Sequence, residues 1–190
     1  MPKKEPTYTK AVIICHGKSE YILGRHIKSS LKISICNYAE QNGKSSIQID
    51  GLNNVLNNTC FKSKNTFCNF FGVAKTKDGI KAKIFIIMDL DDTTEKQIES
   101  FKNKKMFKDH WAAENIIPIW NIPNFDSVMV NLGIIDRPPN DNEKTLLYNK
   151  SFPIKKDGKS DIEKIEKLRD MCKKNKNTNL DEMLEWMLNL

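Results

Sequence analysis

Two nearly continuous apolar runs constrain the fold of this chain more than any other feature. The first lies within Lys10–His16 and ends at Gly17, and the second, Lys83–Met88, leads directly into Asp89. Strands that are buried on both faces have this pattern, because helices cover both sides of a parallel sheet. The two runs therefore predict strands near the centre of a largely parallel sheet.

Segments with helical spacing separate these strands. A helix is predicted over Ser19–Leu31, and Thr94 with Gln97 forms a capping box for a helix that extends to about Phe107. Ile116–Trp120 is a third predicted strand, at an edge or a bulge because it contains Pro118. Further strands are predicted at Ile33–Cys36 and Ser46–Ile49, and helices at Gly51–Leu56 and Asn124–Leu132. The alternation predicts an α/β fold with a largely parallel central sheet flanked by helices.

The C-terminal third has a different pattern. Residues 136–159 contain Pro138, Pro139 and Gly158 and are predicted to be a loop, whereas residues 160–190 are predicted to form two helices. The second helix carries an apolar stripe of Leu180, Met183, Leu184, Met187 and Leu188. We therefore expect an α/β domain over residues 8–135 and a helical C-terminal extension over residues 160–190 that packs on it. A homodimer seam is the alternative use of the stripe.

Composition excludes two classes of protein. With 39% hydrophobic residues the chain is too apolar to be wholly disordered, and no window resembles a membrane-spanning segment of roughly 18 apolar residues. The five cysteines are scattered, with no Cys-x-x-Cys pair. We therefore expect reduced thiols, a cytoplasmic location and no association with membranes.

Charge is distributed unevenly along the chain. Residues 11–88 contain 11 basic and 4 acidic side chains, whereas residues 89–142 contain 6 basic and 10 acidic ones. A basic half beside an acidic segment is expected where carboxylates hold a cation and lysines hold a polyanion. However, 28 of the 31 basic residues are lysines, and a genomic composition bias explains such an excess equally well. Charge alone leaves nucleic-acid binding open.

Two loops that follow the predicted central strands carry the candidate chemistry. His16–Glu20 follows the first strand, and Asp89–Asp91 follows the second. Ligands bind to open α/β sheets at the carboxyl ends of the strands, where both loops are expected. Alternation along a strand places Asp89 and Asp91 on one side, within reach of one hard cation. Helix-capping aspartates are the structural alternative, since Asp92–Thr94 precedes a helix.

The order of these motifs resembles the Toprim domain of topoisomerases, bacterial primases and nucleases of the overcoming-lysogenisation-defect class. That domain has a strand, a Gly-x-Ser/Thr-Glu turn, a helix and a later strand that ends in Asp-x-Asp, as at Gly17–Glu20 and Asp89–Asp91. The chain is most similar to small stand-alone Toprim proteins of abortive-infection and anti-phage systems. Their Asn-Pro-x-Phe-Glu element resembles Asn121–Asp126, with one inserted residue and Asp in place of Glu.

The resemblance implies a Toprim-like fold and a role for each matching residue. Glu20, Asp89 and Asp91 would bind Mg²⁺ or Mn²⁺, and Asp126 would complete the catalytic site. His16 would move a proton and Lys18 would steady a phosphate. The implied function is metal-dependent hydrolysis of phosphodiester bonds in DNA or RNA during phage defence. Nucleic acid is the implied partner, with a homodimer or a partner protein of the defence system as further options.

His16 is the main departure from the family pattern, because the family usually has Glu before that glycine. Histidine can move protons near neutral pH but supplies no negative charge to Mg²⁺. A degenerate Toprim module that binds nucleic acid or nucleotide without cleaving it is therefore an alternative. A second alternative is a haloacid-dehalogenase-like phosphatase, because Asp89–Thr93 fits the Asp-x-Asp-x-Thr motif. Asp89 would then be the nucleophile and Asp91 the acid/base.

Overall fold

The computed structural model describes residues 7–154 and 160–190. In chain order the elements are β1 (Ala11–Cys15), α1 (Lys18–Leu31), β2 (Ile35–Tyr38), α2 (Ile49–Asn58), α3 (Lys64–Phe71), β3 (Lys83–Asp89), α4 (Glu95–Lys102), β4 (Ile116–Asn121), α5 (Phe125–Asn131), α6 (Asp141–Ser151), α7 (Ile162–Cys172) and α8 (Leu180–Leu188). Short 3₁₀ turns occupy Glu40–Gly43, Lys105–Phe107 and Ala113–Asn115. Within the described ranges, every helix is too short or too polar to cross a membrane.

The four strands form a parallel sheet in the order β2-β1-β3-β4. Ala11 of β1 lies opposite Ile35 of β2 on one side and opposite Lys83 of β3 on the other. The chain thus winds outward in both directions from the boundary between β1 and β3, which is the switch point where parallel α/β sheets bind ligands. The predicted parallel sheet flanked by helices is confirmed, and its Toprim-like identity stays a prediction.

Successive residues of the strands point to opposite faces of the sheet, and each face is covered by helices. Ile13 and Phe85 lie on a face packed by α1, α5, α6, α7 and α8. Val12, Ile84 and Ile86 lie on the other face, which α2, α3 and α4 cover. Both faces are buried, which explains why the central strands are continuous apolar runs.

The apolar stripe of α8 packs on the chain's own sheet, as expected. Leu180, Met183 and Leu184 are fully buried, Met187 is 1% exposed, and Leu188 is partly buried against the same cluster. The rings of Trp186 and Phe85 pack edge to face, with their centroids 5.4 Å apart. The C-terminal helices are therefore part of the core on this face of the sheet.

The sheet edge at β4 is covered by the segment before α8. Pro118 lies in this edge strand, where its missing N–H is tolerated, so the predicted edge position is confirmed. Asn179 accepts a hydrogen bond from the Trp120 N–H (2.9 Å) and donates one to the Pro118 carbonyl (3.1 Å). One asparagine side chain thus pairs with backbone groups that would otherwise be left at the open edge.

Two predicted elements differ from the observed ones in the first half of the chain. Ser46–Ile49 is not a strand, because Ile47 is buried in an extended loop and Ile49 begins α2. Helix α4 ends at Lys102 rather than near Phe107. Lys104 then adopts a left-handed conformation (φ 59°) and starts a separate 3₁₀ turn that buries Phe107. In both places, buried apolar side chains have the spacing of a strand or a helix, although the backbone does not form that element.

The prediction of a loop over residues 136–159 is wrong for Asp141–Ser151, which form α6. Residues 155–159 lie outside the described residues. The prolines and polar residues hid a capping box, in which Asn140 accepts from the Glu143 N–H and Glu143 accepts from the Asn140 N–H. The helix has no regular apolar stripe, since Leu146 is 76% exposed and Tyr148 is its one fully buried side chain among the described residues.

His26 of α1 makes the stability of the fold dependent on pH. Its Nδ1 lies 2.7 Å from the Pro153 carbonyl, and burial lowers its pKa more than that hydrogen bond raises it. The folded state therefore binds fewer protons than the unfolded state, so the free energy of unfolding should fall as the pH drops below about 6.5. Urea unfolding at pH 7.5 and 5.5 tests this expectation. His26→Gln cannot titrate and should show a smaller loss, whereas an equal loss in both proteins contradicts it.

Candidate functional site

A cavity of about 500 Å³ opens at the carboxyl ends of β1 and β3, at the switch point of the sheet. Its lining comes from the loop after β1, the start of α1, the 3₁₀ turn before α2, the end of β3, and α5 and α6. The lining residues are His16, Gly17, Lys18, Ser19, Glu20, Gly43, Lys44, Ser46, Asp89, Asp126, Asp141, Lys144 and Thr145. The volume suits a small ligand or one part of a larger one.

Asp89 is held in place at the end of β3. Its Oδ1 accepts hydrogen bonds from the backbone N–H of Phe125 (2.9 Å) and from Nδ2 of Asn121 (3.3 Å). Asn121 is fully buried and in turn accepts from the hydroxyl of Thr178 (3.0 Å). One oxygen of Asp89 is therefore used for orientation, and Oδ2 faces His16 across 3.9 Å.

Glu20 lies in the first turn of α1 and is 2% exposed. Its Oε2 accepts a hydrogen bond from the backbone N–H of Gly17 at 2.9 Å, which caps the helix. A carboxylate is favoured at this end of a helix because the helix dipole is positive there. The turn between β1 and α1 thereby directs a buried acid into the same pocket as Asp89.

Burial disfavours the charged form of both carboxyl groups. Burial raises the pKa of Glu20, with His16 and the Gly17 N–H opposing that shift. The pKa of Asp89 is raised well above its usual range, first by burial and then by the nearby Glu20 carboxylate. Groups with raised pKa values in a cleft are typical of functional sites, because a bound cation or a proton must balance them.

His16 lines the cavity beside the two acids. Its Nε2 is 3.9 Å from Asp89 Oδ2, which is an electrostatic contact rather than a hydrogen bond. Its Nδ1 is buried and has no hydrogen-bond partner in the described part of the chain. A buried ring nitrogen without a partner is costly in a purely structural role, so the ring is placed for a ligand or a transferred proton.

Asp126 also lines the cavity, but its oxygens are already engaged. Oδ1 accepts hydrogen bonds from the hydroxyls of Tyr148 (2.7 Å) and Ser19 (3.3 Å), and Oδ2 pairs with the ammonium of Lys144 at 2.9 Å. Burial and the hydrogen bond to Asp126 raise the pKa of Tyr148, which therefore stays a donor. Asp126 thus fastens α6 to α1 and α5 and is a weaker candidate for a free catalytic carboxylate.

Asp91 does not line the cavity, although the sequence placed it with Asp89 as a ligand. Its Oδ2 accepts from Nδ2 of Asn124 (2.9 Å), and its Oδ1 accepts from the Asp92 N–H (3.1 Å). Asn124 is the residue that caps α5 through Ser127. The chain leaves its strand geometry after Asp89, so the expected alternation no longer holds. Asp91 still contributes to the raised pKa of Asp89.

Lysines supply the positive charge around the cavity. Lys18, Lys44 and Lys144 all line it. Lys18 donates a hydrogen bond to the Asn42 carbonyl at 3.4 Å, which holds the 3₁₀ turn against the start of α1. Burial lowers the pKa of Lys144, but Asp126, Glu20 and Asp141 raise it by more. The lining therefore combines four carboxyl groups, the other two being Asp126 and Asp141, with three lysines, and such a mixture suits a phosphate group beside a metal ion.

The donor set was compared with the needs of Mg²⁺ and Mn²⁺. Among the described residues, no three His, Cys, Asp or Glu side chains are grouped closely enough to hold a metal ion. Mg²⁺ usually keeps several waters and binds one or two carboxylates together with substrate phosphate oxygens. Glu20 and Asp89 fit this mode, because a cation beside them would stabilise carboxylates whose charged form burial disfavours. The residues therefore fit a largely hydrated ion.

The sequence interpretation missed Lys44 and Lys144, which line the cavity, and Tyr148, which donates a hydrogen bond to the lining residue Asp126. Lys44 directly follows the 3₁₀ turn Glu40–Gly43, a segment without a periodic pattern. Lys144 and Tyr148 belong to α6, whose capping box at Asn140 and Glu143 was the available signal. Four residues apart on that helix, both side chains reach the same carboxylate.

No protein-family model, curated protein or solved structure matches this chain. Any functional assignment therefore depends on the residues and geometry of the site.

Proposed function

We propose that this protein hydrolyses phosphodiester bonds of nucleic acid with the help of Mg²⁺ or Mn²⁺. One observation carries the proposal: the buried Glu20 and the largely buried Asp89, each with a pKa raised mainly by burial, line one cavity together with three lysines. The Toprim resemblance implies the same reaction and the same two acids. The biological setting, phage defence, rests on that resemblance alone.

Each group in the cavity has a distinct part in this proposal. Glu20 and Asp89 would hold the ion, which supplies Lewis-acid stabilisation of the charge that builds on phosphate oxygens. Lys18 and Lys44 bind and orient the phosphate. His16 accepts a proton from water or donates one to the leaving oxygen, since an imidazole does either near neutral pH. Asp126 positions Lys144 at the cavity through their 2.9 Å ion pair.

A non-cleaving nucleic-acid or nucleotide-binding module is the second candidate. The specific observation in its favour is His16, which stands where the resembled family has a third acid, together with the lack of a ready three-ligand group among the described residues. The phosphatase alternative is less well supported. It needs Asp89 and Asp91 to face one substrate, and Asp91 lies outside the cavity lining.

Two isosteric variants test the proposed reaction. Asp89→Asn removes a charge that the ion would require, so it should lower Mn²⁺-dependent cleavage of a labelled single-stranded oligonucleotide by at least about 100-fold. Asp91→Asn removes the same charge at a residue outside the lining and should cost less than about 10-fold. Titration calorimetry with Mn²⁺ should show the same order, with weakened binding in Asp89→Asn.

The outcomes separate the two candidates. Equal Mn²⁺ affinity in the wild type and in Asp89→Asn rules out the metal site. Oligonucleotide binding by the wild type without cleavage, and cleavage only after His16→Glu, supports the non-cleaving module. Thermal unfolding of each variant controls for folding, because Asp89 also accepts hydrogen bonds from Phe125 and Asn121.

A further inference from the structure

A second cavity, of about 630 Å³, lies at the opposite edge of the sheet, where the strands begin. We call it the amino-edge groove. It is lined by Tyr8, Lys10, Cys68, Asn69, Gly72, Val73, Ala74, Lys75 and Lys81. None of these residues belongs to the candidate functional site, and the proposed reaction makes no use of them.

Backbone hydrogen bonds hold the walls of the groove together. The Thr9 N–H donates to the Gly72 carbonyl (3.0 Å), which ties the chain before β1 to the end of α3. The Lys81 N–H donates to the Ala74 carbonyl (2.9 Å), which closes the turn before β3. Gly72 itself has a positive φ of 65° and ends α3. The groove is thus built into the sheet and is not a gap between mobile side chains.

The groove is strongly basic. Lys10, Lys75 and Lys81 are exposed, and none of the described residues that line the groove is acidic. A smaller neighbouring pocket shares Lys10 and Lys81 and adds Lys83. Because β1 and β3 are paired parallel strands, lysines at their starts lie side by side. Several like charges in a concave surface attract a polyanion, and their mutual repulsion favours such a ligand.

An aromatic ring accompanies these charges. Tyr8 lines the groove and is 45% exposed; Phe70, which follows the lining residue Asn69 on α3, is 67% exposed but does not line the groove. The other phenylalanines of this segment, Phe67 and Phe71, are buried. Exposed rings beside lysines are the pattern of surfaces on which the bases of single strands stack while their phosphates meet cations.

We infer that the amino-edge groove binds a single-stranded segment of the nucleic acid that the functional site acts on. This inference rests on the proposed function for the identity of the polymer. The charge pattern also suits an acidic protein segment, but the exposed tyrosine in the groove favours a strand with bases. β3 separates the two sites by roughly 20 Å of sheet. A substrate longer than about six nucleotides is therefore needed to reach both sites.

Fluorescence anisotropy with labelled oligo(dT) and oligo(U) of 20 and 4 nucleotides tests the inference. Lys10→Glu/Lys81→Glu should weaken binding of the 20-mers at least 10-fold. With two fewer phosphate contacts, the dependence of log Kd on log salt should flatten by about 1.4. Lys150→Glu/Lys174→Glu is the control of equal charge, because neither residue lines the groove or the functional site. Tyr8→Ala should also weaken the 20-mers, because it removes the ring on which a base stacks.

The outcomes distinguish this inference from the proposed function. The inference is overturned if the two double-lysine variants lose equal affinity for the 20-mers, or if the wild type does not bind the 20-mers. An acidic peptide that binds as tightly as the 20-mers, with the same loss in the groove pair, also overturns it and assigns the surface to a protein partner. Binding that depends on the groove, without any Mn²⁺-dependent cleavage, supports the groove and contradicts the reaction. Cleavage of long substrates that is unchanged in the Lys10→Glu/Lys81→Glu variant supports the proposed reaction and contradicts the inference about the groove.

Discussion

Leu184→Asp should leave the protein largely unfolded at 37 °C. The fraction of the variant that stays folded should have the same molecular mass as the wild type. Leu184 is fully buried on α8 in the cluster that covers one face of the sheet. Removing its side chain and burying a carboxyl group in its place should cost at least about 4 kcal/mol. Such a loss is most of the stability of an ordinary domain, about 5–15 kcal/mol. Urea unfolding measures the loss directly.

Glu182→Asp is the matched control on the same helix. Glu182 is exposed, so this change should stay within about 0.5 kcal/mol of the wild type. Light scattering adds the second readout. A wild type that is a dimer and a Leu184→Asp variant that is a folded monomer would assign the stripe to a seam between copies. Unchanged stability would contradict the burial of α8.

Gly43→Ala should destabilise the fold by about 2–4 kcal/mol and disturb the functional site as well. Gly43 has a φ of 83°, and a Cβ there would lie 2.8 Å from the Cα of Lys18. The backbone of α1 cannot yield without moving its first turn, which carries Lys18 and Glu20. We therefore expect weaker Mn²⁺ binding together with a lower melting temperature.

Two other glycines separate the causes of this loss. Gly72 has a φ of 65° but would meet only Thr9 Oγ1, at 4.0 Å, so Gly72→Ala measures the cost of the left-handed backbone alone. Gly51 lies inside α2 with nothing within 4 Å, and Gly51→Ala should stabilise the protein by about 0.5–1 kcal/mol. A Gly43→Ala protein no less stable than Gly72→Ala would show that the contact with Lys18 is harmless.

The central strands were predictable because burial on both faces leaves an unmistakable pattern. β1 and β3 coincide with the apolar runs within one residue at each end. Helix α6 was not predictable from periodicity, since only Tyr148 anchors it among its described residues and two prolines precede it. Its capping box is a local signal. A helix with one buried side chain has no repeating apolar pattern, so hydrophobic periodicity does not detect it.

The candidate site was predicted to the same degree as the strands that carry it. Glu20 and Asp89 line one cavity because Glu20 lies in the first turn of the helix after β1 and Asp89 is the last residue of β3. Asp91 lies outside the lining of this cavity, because β3 ends at Asp89 and strand alternation does not extend to Asp91; its role as a ligand stays a prediction. The engagement of Asp126 depends on Tyr148 and Lys144, which come from the helix that the sequence interpretation missed.

The order of the strands also has a consequence for how the protein acquires its site during folding. Ala11 pairs with Lys83, 72 residues further along the chain, whereas β1 and β2 are joined through α1 alone. Closing so long a loop is entropically costly and slows folding relative to local contacts. Glu20 follows the first of these two paired strands and Asp89 ends the second, so the two residues come together only when the loop closes. A nascent chain that has not yet completed β3 therefore has a capped helix and a strand pair, but no cavity for a ligand.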